Sequence, residues 1–405
     1  MTQKITVSDL LSQETIRDPA KFYTHLREQE PLTCVDDFLG RGKAWILTDY
    51  EDAMTVLKDP RFTKDRRKIL AQEGGQSPLL EGPFLALMQN MITVDPPDHT
   101  RLRGLVSKAF TPRMIEQLRP RIQQITDELL DAVHERGEMD LINDFAYPLP
   151  ITVICEMLGI PVEDRQQFRV WTQAMVNSGE KMVQEAMIVS SIETFLDYIR
   201  TLLDKKRAHP GNDLISDLVR VEEDGDMLSE NELISMIFLL IVAGHETTVN
   251  LIGVGTLILL QHPDQLQRLQ KDPSLIPTAV EELLRYASPV NLSDERWATE
   301  DIPMYGKVIR KGEIVYASLI GANTDRQQFH NPEELDIARR ENQHLAFGKG
   351  IHYCLGAPLA RLEGQIAFDT LIRRMPNLRL ACDAEQLVWN NNPMLRGLRS
   401  LPVTF

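Results

Sequence analysis

The 405-residue sequence contains few cysteines and fewer basic than acidic residues, and each of these features excludes certain classes of protein. It has four cysteines, with no CxxC pair and no zinc-type spacing, which predicts reduced thiols in a cytoplasmic protein. Lys and Arg number 44 against 59 Asp and Glu, and the resulting net charge of −15 leaves no overall basic field. Nucleic acid is therefore not an expected partner, because its phosphates need cations to neutralise them.

The N-terminal stretch contains no long apolar run, and the chain contains no low-complexity tract. The N-terminal stretch MTQKITVSDLLSQETIRDP mixes polar and charged residues, so we expect neither a signal peptide nor a membrane anchor. The 23 prolines and 22 glycines are scattered, and no linker divides the chain. With 43% hydrophobic residues the chain can bury a large core. We predict one soluble, monomeric domain over residues 1–405.

The most informative feature that is present is the stretch HLAFGKGIHYCLGAPLA, which contains Phe347, Gly348, Gly350, Cys354 and Gly356. The first two glycines permit a tight turn that presents backbone N–H groups toward a sulfur. A helix that begins directly after the cysteine adds its positive dipole end and lowers the thiol pKa. A lone cysteine here would be read as buried and structural. The complete pattern instead favours a thiolate that binds iron.

A second feature is the long apolar segment LISMIFLLIVAGHETTVNLIGVGTLILL. Ser229 and Glu232 form a capping-box pattern ahead of it, which predicts a helix from about Glu230 to about Gln261. HETT interrupts the run, so no stretch reaches the ~18 uncharged residues that span a bilayer. We predict a buried central helix. Polar residues in its middle cost free energy unless they are satisfied, which indicates either function or a kinked core helix.

The cysteine stretch resembles the haem-binding loop of the cytochrome P450 family. Three other segments resemble further signatures of that family, in the same order: DPPDHTRLR at Asp95–Arg103, AGHETT at Ala243–Thr248 and EELLR at Glu281–Arg285. The likeness covers most of the chain except about the first forty residues and the segment from about Ser178 to Arg207. It implies a mainly α protein with small β-sheets, the triangular α-rich prism of the P450 fold, with a long central helix over haem.

Two β features fit this fold. One is KAWILTDY near residues 43–50, and the other is MYGKVIRKGEIVYASL near residues 304–319, with Lys311 and Gly312 as a turn. Most of the remaining chain is expected to be helical.

The resemblance implies haem b, iron protoporphyrin IX, with Cys354 as its axial thiolate. Across the haem, Thr247 would hold a hydrogen bond to dioxygen and Glu246 would relay protons from solvent. Ala243 and Gly244 are small and would leave room for the flat cofactor. The Thr247 hydroxyl is expected to bond to the Ala243 carbonyl and to open the helix locally into a groove.

The resemblance also assigns residues that hold the cofactor and its loop. Haem propionates need cationic or hydrogen-bonding partners, and His99, Arg103, Arg296 and His352 occupy the family positions. Glu282, Arg285 and Arg339 are expected to form a buried charge network that serves as scaffold.

Substrate contacts follow from the resemblance alone, and ordinary core positions remain the alternative. The expected pocket residues share an aliphatic, methionine-rich character, which suits a bulky apolar or amphipathic molecule. Asp294 is the acidic group placed to meet a polar substituent. The other predicted pocket residues are Phe84, Leu87, Met88, Met91, Ile92, Leu239, Ala243, Val290, Leu292, Met394 and Leu395.

The stretches AGHETTVNLIG, EELLRYASPV and RLEGQIAF are similar to those of soluble bacterial P450s that oxidise polyketides, macrolides and fatty acyl compounds. The resemblance implies a monooxygenase of secondary metabolism that hydroxylates an unactivated C–H bond with O₂ and two electrons. Two alternatives stay open: a peroxygenase driven by hydrogen peroxide, and a non-catalytic haem-based gas or ligand sensor. A helical protein without haem is a further, weaker alternative.

A local basic cluster is the expected docking site of the electron donor, a ferredoxin or flavodoxin-type protein. A solvated helix face is the alternative reading of such a cluster. Its members are Arg101, Arg103, Lys108, Arg113, Arg119, Arg121 and Lys349.

Overall fold

The computed structural model describes residues 5–73, 87–164, 167–168, 171, 183–223 and 226–405, and these are mostly helical. Several helices begin after a residue whose side chain accepts a hydrogen bond from one of the first N–H groups of the helix. The Asp18 side chain accepts a hydrogen bond from Lys21 N, and Thr111 accepts one from Met114 N. The α-helices are α1 (Val7–Leu10), α2 (Gln13–Arg17), α3 (Pro19–Gln29), α4 (Tyr50–Lys58), α5 (Arg66–Glu73), α6 (Asp98–Ala109), α7 (Pro112–Gln117), α8 (Arg119–His134), α9 (Pro148–Leu158), α10 (Val183–Ala208), α11 (Leu214–Arg220), α12 (Glu230–Gln261), α13 (Pro263–Lys271), α14 (Ile276–Ala287), α15 (Leu319–Asn323) and α16 (Ala357–Arg374).

The predicted central helix is α12, and its bounds are those expected from the sequence. The capping box is formed, because Ser229 N donates to Glu232 Oε2 at 2.8 Å and Glu232 N donates to Ser229 Oγ at 3.4 Å. The helix is continuous through Ala243–Thr248. A break at this point is therefore not seen, and the local opening stays a prediction.

Short strands form small sheets, as expected of a mainly α protein with little β structure. The largest described sheet has the order β1-β2-β10-β7-β3, in which β10 runs parallel to β2 and antiparallel to β7. The strands are β1 (Leu32–Val35), β2 (Ala44–Leu47), β3 (Phe62–Thr63), β4 (Glu138–Asp140), β5 (Glu222–Glu223), β6 (Asp226–Met227), β7 (Arg296–Ala298), β8 (Ile302–Met304), β9 (Lys307–Ile309), β10 (Ile314–Ala317), β11 (Arg379–Leu380) and β12 (Pro402–Thr404).

The turn predicted at residues 311–312 is present, with Gly312 at φ 83° and Glu313 N bonded to Arg310 O at 3.0 Å. The strands on its two sides belong to different sheets. β9 pairs with β8, whereas β10 joins the five-stranded sheet. The turn therefore redirects the chain from one sheet to another.

The chain forms two compact units. The first consists of residues 1–63, 119–149 and 247–405, and it contains the five-stranded sheet. In its core α4 packs on β10, with Trp45, Val56 and Val315 nearly or fully buried. The second unit consists of residues 64–118 and 150–246 and contains α6, α10, α11 and the first half of α12.

Two described helical segments are long and apolar enough to cross a membrane, Leu141–Leu158 and Glu230–Gln261. In an 18-residue stretch of each segment, 67% and 61% of the residues respectively are buried inside the protein. Core helices of soluble proteins have the same length and composition.

A charge network with a fully buried centre holds α14 to the segment before the cysteine loop. Arg285 Nε and Nη2 each donate to the Glu282 carboxylate at 2.8 Å, and both side chains are 0% exposed. Arg339 Nε donates to the same carboxylate at 3.1 and 3.2 Å. Arg285 also donates to the carbonyl oxygens of Asn323 and Pro332. The structure thus brings the three residues of the expected scaffold together.

Glu282→Gln is expected to lower the free energy of unfolding by about 3–5 kcal/mol, because two buried guanidinium groups lose their counter-charge. Denaturant unfolding of the haem-loaded protein measures this loss. The matched control is Glu333→Gln, which removes an exposed ion pair with Arg326 and should cost about 0.5 kcal/mol or less. Equal effects of the two substitutions would contradict a scaffold role for the network.

Candidate active site

The loop around Cys354 is folded onto itself by backbone hydrogen bonds. Gly348 N donates to Leu345 O at 2.8 Å, Tyr353 N to Gly350 O at 3.1 Å, and Cys354 N to Phe347 O at 3.0 Å. These three N–H groups are used within the loop, and the expectation that other backbone N–H groups point toward the sulfur stays a prediction. Their effect is to fix the cysteine backbone in one position.

Gly350 is required by both conformation and space. Its φ of 76° is left-handed, and a Cβ on it would lie 2.8 Å from the Leu57 carbonyl oxygen. Gly348 has φ 66° with open space around it, so only its conformation favours glycine. The loop therefore lies directly against the C-terminal end of α4.

Helix α16 begins at Ala357, and Gly356 is its N-cap. A Cβ on Gly356 would lie 3.8 Å from Cys354 Sγ, which is ordinary van der Waals contact. The sulfur thus lies beside the first turn of a long helix, where the dipole favours an anion.

The other three cysteines have different surroundings. Cys155 is buried within α9, Cys34 lies in β1, and Cys382 follows β11. All four lie in the described part of the chain, and none forms a disulfide. Among them, Cys354 alone combines a glycine-turned loop, partial exposure and a helix start, which fits the donor chemistry of a haem-thiolate ligand.

A second charge network, which the sequence interpretation missed, holds the aromatic residue of this loop. Arg361 on α16 donates to the Glu281 carboxylate at 2.7 and 2.8 Å, and its guanidinium lies 4.5 Å from the centroid of the Phe347 ring. It also donates to the Tyr353 hydroxyl at 3.1 Å. His344 Nε2 lies 3.1 Å from the same carboxylate. Burial raises the pKa of Glu281, but the bonds and charges of Arg361 and His344 outweigh it and bring it to about 2.

Arg296, a predicted propionate partner, and the cysteine loop both contact one backbone oxygen of α4. Its Nη2 donates to the Leu57 carbonyl oxygen at 3.3 Å, the same oxygen against which Gly350 packs. Its Nη1 donates to Phe62 O at 3.3 Å, and its side chain is buried. His352 ends the short 3₁₀ helix Gly350–His352 in the same loop. Arg296 and the short helix that contains His352 therefore both lie at the end of α4.

The other predicted propionate partners, His99 and Arg103, lie on α6 in the second unit. Four residues apart on one helix, they share a face as expected. His99 is 4% exposed and Arg103 is partly exposed.

The middle of α12 has an accessible stripe. Leu239, Val242, Ala243, Glu246 and Thr247 keep partial or full exposure in a helix that is otherwise mostly buried. Their spacing of i, i+3, i+4, i+7 and i+8 puts them on one face over about 12 Å of helix. Such a face, with a small residue at its centre and an acid and an alcohol at one end, fits a flat cofactor.

Gly244 was expected to leave room for the cofactor, but it lies against α9. A Cβ there would lie 3.2 Å from Ile154 Cδ1 and 3.4 Å from Ile154 Cγ1. The missing side chain therefore serves close packing against α9. Of the two small residues predicted to make room for the cofactor, Ala243 is the one that is exposed.

Burial sets the acid–base character of the His245–Glu246 pair. His245 is 1% exposed, its Nδ1 lies 2.7 Å from Ile241 O, and burial lowers its pKa. Burial raises the pKa of Glu246, whose side chain is 20% exposed and lies 3.7 Å from His245 Nε2. A carboxyl group with a raised pKa and partial access to solvent is suited to proton transfer.

Glu363 on α16 is a buried acid that no sequence motif indicated. It is 1% exposed, and no hydrogen bond of normal geometry reaches either carboxylate oxygen among the described residues. Burial raises its pKa to about 8, an effect that the neighbouring Thr248 hydroxyl offsets only in part. This residue is a neutral acid at pH 7.

The predicted substrate residues divide into several groups. Val290 and Leu395 form a β-bridge, and Asn291 N donates to Met394 O at 2.8 Å, so the structure brings these residues together. Asp294 is exposed. Leu292 is 0% exposed and pairs with Ser318, so it is a core residue.

The residues before Asp95 are equally divided. Leu87 and Met91 are 2% and 7% exposed and pack in the core, which corrects their expected pocket positions. Met88 is 42% exposed and Ile92 partly exposed. Phe84 lies outside the described residues.

Part of the predicted basic cluster is neutralised. Arg101 forms ion pairs with Glu232 and, at 3.2 Å, with Asp226, so its charge is balanced within the second unit. Lys108 and Arg113 are exposed on α6 and α7, and Lys349 is exposed in the cysteine loop.

Comparison with known proteins places these features in a family. The family model for cytochrome P450 matches residues 165–377. The chain is 54% identical to Cytochrome P450 CYP107DY1 from Priestia megaterium, over all of both chains. It is 46% identical to the polyketide biosynthesis cytochrome P450 PksS from Bacillus subtilis, over 97% of both chains. The chain belongs to the cytochrome P450 family.

The solved structure of myxobacterial cytochrome P450 CYP267B1 in complex with myristic acid matches with a TM-score of 0.93 and 45% identity. The match covers 98% of this chain and 99% of that one. The fold is therefore the P450 fold predicted from the sequence, and the chain is a P450 monooxygenase. Family membership implies a haem held by a cysteine thiolate.

The Glu363 carboxyl provides a pH test of the core beside this site. Its folded-state pKa is raised from 4.5 to about 8, so the folded protein binds this proton more tightly than the unfolded chain. The stabilisation is complete below about pH 4.5 and is lost as pH rises toward 8. Glu363→Gln removes the effect, so its stability should rise relative to wild type by up to ~1.4 kcal/mol per pH unit across this window.

The measurement is the denaturant midpoint of both haem-loaded proteins between pH 5 and 8. Glu341→Gln, at an exposed position, is the control and should keep the wild-type pH profile. Parallel profiles for wild type and Glu363→Gln would contradict the buried neutral acid.

Proposed function

We propose that this P450 is a haem b-dependent monooxygenase in which Cys354 is the axial thiolate. The observation that carries the proposal is the loop itself, whose backbone is fixed by its own hydrogen bonds and by the Gly350–Leu57 contact. A metal ligand must be held in one position, and a loop with these constraints holds the sulfur in place. The haem, when bound, supplies activation of dioxygen with two electrons, and thiolate ligation favours O–O cleavage.

The proton side of the reaction is assigned to Glu246 and Thr247. Glu246 has a raised pKa and partial exposure, so it can take a proton from solvent and pass it inward. Thr247 is on the accessible stripe of α12, where its hydroxyl can donate a hydrogen bond to dioxygen.

The propionate groups are assigned to Arg296 and His352, with His99 and Arg103 as further partners. Buried Arg296 supports this assignment most strongly, because a buried guanidinium is a strong hydrogen-bond donor to a carboxylate such as a haem propionate.

The substrate is a bulky apolar or amphipathic molecule, of polyketide, macrolide or fatty acyl type, hydroxylated at an unactivated C–H bond. The aliphatic character of Leu239, Val290, Met394 and Leu395 supports it, and none of these is fully buried. The names of the relatives point the same way, since PksS is a polyketide biosynthesis enzyme and CYP267B1 binds myristic acid.

We further propose that the electrons come from a ferredoxin or flavodoxin-type partner that binds at exposed basic residues such as Lys108, Arg113 and Lys349. The two units together are one P450 domain, and the protein is a cytoplasmic monomer of secondary metabolism.

Cys354→Ser is expected to abolish the ferrous–CO Soret band at about 450 nm, which reports thiolate ligation. Cys382→Ser changes another partly exposed cysteine, so it is the matched control and should keep the band. If Cys354→Ser retained the band, or if Cys382→Ser lost it, the ligand assignment would be wrong.

Thr247→Ala is expected to uncouple electron use from product, because the hydrogen bond that directs the proton is lost. The product formed per electron pair should fall several-fold while hydrogen peroxide release rises. Thr256→Ala is the control on the same helix, since the Thr256 hydroxyl donates only to the Ile252 carbonyl at 2.7 Å.

The coupling ratio is measured with a reconstituted ferredoxin and its reductase and a fatty acid or macrolide substrate. Hydrogen peroxide alone, at matched enzyme concentration, provides the peroxygenase comparison. Unchanged coupling in Thr247→Ala would remove the proposed role. Equal product from peroxide and from O₂ with electrons would favour the peroxygenase.

A further inference from the structure

A cavity of about 170 Å³ lies within the first unit, away from the accessible stripe of α12. Its α12 wall consists of Val254, Leu257, Ile258 and Gln261. The nearest of these is seven residues beyond Thr247, about 10 Å along the helix. The cavity is therefore separate from the predicted haem face.

Arg396 lines this cavity as a buried cation. Its side chain is 9% exposed, Nη1 donates to Ala287 O at 3.2 Å, and Nη2 donates to Arg17 O at 2.7 Å. Its guanidinium also lies 5.1 Å from the centroid of the Trp389 ring. The partners of the guanidinium are thus neutral carbonyl oxygens and an aromatic ring.

The charge of Arg396 is incompletely compensated. Its Nε is buried and makes no hydrogen bond among the described residues, and no carboxylate there forms an ion pair with it. Burial lowers its pKa to about 10, with the charge of Asp18 offsetting this only in part. A buried cation that neutral groups alone hold is costly, and an anion beside it would recover much of that cost.

The other lining residues indicate the size and polarity of the group that would be attached to such an anion. Val254, Leu257, Ile258 and Trp389 are each 5% exposed or less and present apolar surface. An apolar cavity of ~150 Å³ holds one benzene molecule. The space therefore suits a single ring or a short branched chain.

A second cation lies at the cavity. Arg17 at the end of α2 lines it, with Nη2 bound to the carbonyl oxygen of Glu385 at 2.5 Å. The Glu385 side chain also lines the cavity, so the lining carries two positive charges and one negative charge. The net charge favours an anion over a cation.

We propose that this cavity binds a small carboxylate with an apolar body of about one ring, the carboxylate lying against Arg396 and Arg17 and the ring between Trp389 and α12. The site is separate from the proposed monooxygenase reaction, and its occupancy does not require a bound haem substrate.

The test uses 4-fluorobenzoate and 4-fluorobenzamide, which have nearly the same shape and differ in charge. Binding is followed by fluorine NMR on the haem-loaded protein, with an azole ligand on the iron to block the substrate pocket. We expect saturable binding of the carboxylate, at least about tenfold tighter than that of the amide, equivalent to ~1.4 kcal/mol.

Two variants locate the site. Arg396→Met removes the charge, and Ile258→Trp fills the cavity without altering the charge; both should abolish carboxylate binding. Arg399→Met is the control, because Arg399 is an exposed arginine near the same segment and does not line the cavity. The Soret spectrum of each variant checks that the protein is folded. If Arg396→Met does not fold, Ile258→Trp carries the test.

Three results would overturn the proposal. They are equal affinity for the carboxylate and the amide, carboxylate binding that survives Ile258→Trp, and no saturable binding to the wild-type protein. The last result would mean that the cavity holds water only.

Discussion

The position of one sulfur atom is the constraint on which the rest of the predicted site depends. That position is set by backbone contacts, because the loop bonds to itself and Gly350 packs against the Leu57 carbonyl oxygen. The same oxygen accepts a hydrogen bond from Arg296. One carbonyl at the end of α4 therefore positions both the loop of the proposed metal ligand and a predicted cofactor partner. A side chain at residue 350 would displace both together.

Two adjacent acidic residues on α14 also fix the position of the cysteine loop, and each does so through different arginine residues. Glu282 binds Arg285 and Arg339 and fixes the segment that leads toward the loop. Glu281 binds Arg361, whose guanidinium covers the Phe347 ring. Each carboxylate has bidentate or charge-assisted partners, the arrangement in which a buried charge is retained without a large net cost. One turn of helix thus supports both the approach to the loop and the loop itself.

How much of this could be predicted depended on whether the deciding interaction was local in sequence. The start of α12 followed from the Ser229–Glu232 capping box, which is a contact across three residues. The sheet membership of β9 and β10 did not follow, because their partner strands are chosen by long-range packing. Gly244 faces Ile154, and Leu292 is enclosed in the core, for the same reason. The EELLR motif indicated a structural role for Glu282 but not for Glu281. A sequence motif gives the spacing of its own residues, whereas Glu281 binds Arg361, which lies 80 residues further along the chain.

The two carboxyl groups with raised pKa values near the site differ in solvent exposure, and solvent exposure decides which of them can transfer protons. Burial raises the pKa of both Glu246 and Glu363. The Glu246 side chain is 20% exposed, so it can exchange its proton with water without any opening of the protein. Glu363 is 1% exposed, and reaching it would require local opening of the core around α16. A relay must be reloaded in every turnover, and a group that is closed to solvent cannot meet that requirement directly. Solvent access, rather than the size of the pKa shift, therefore favours Glu246 over Glu363 for the proposed proton delivery.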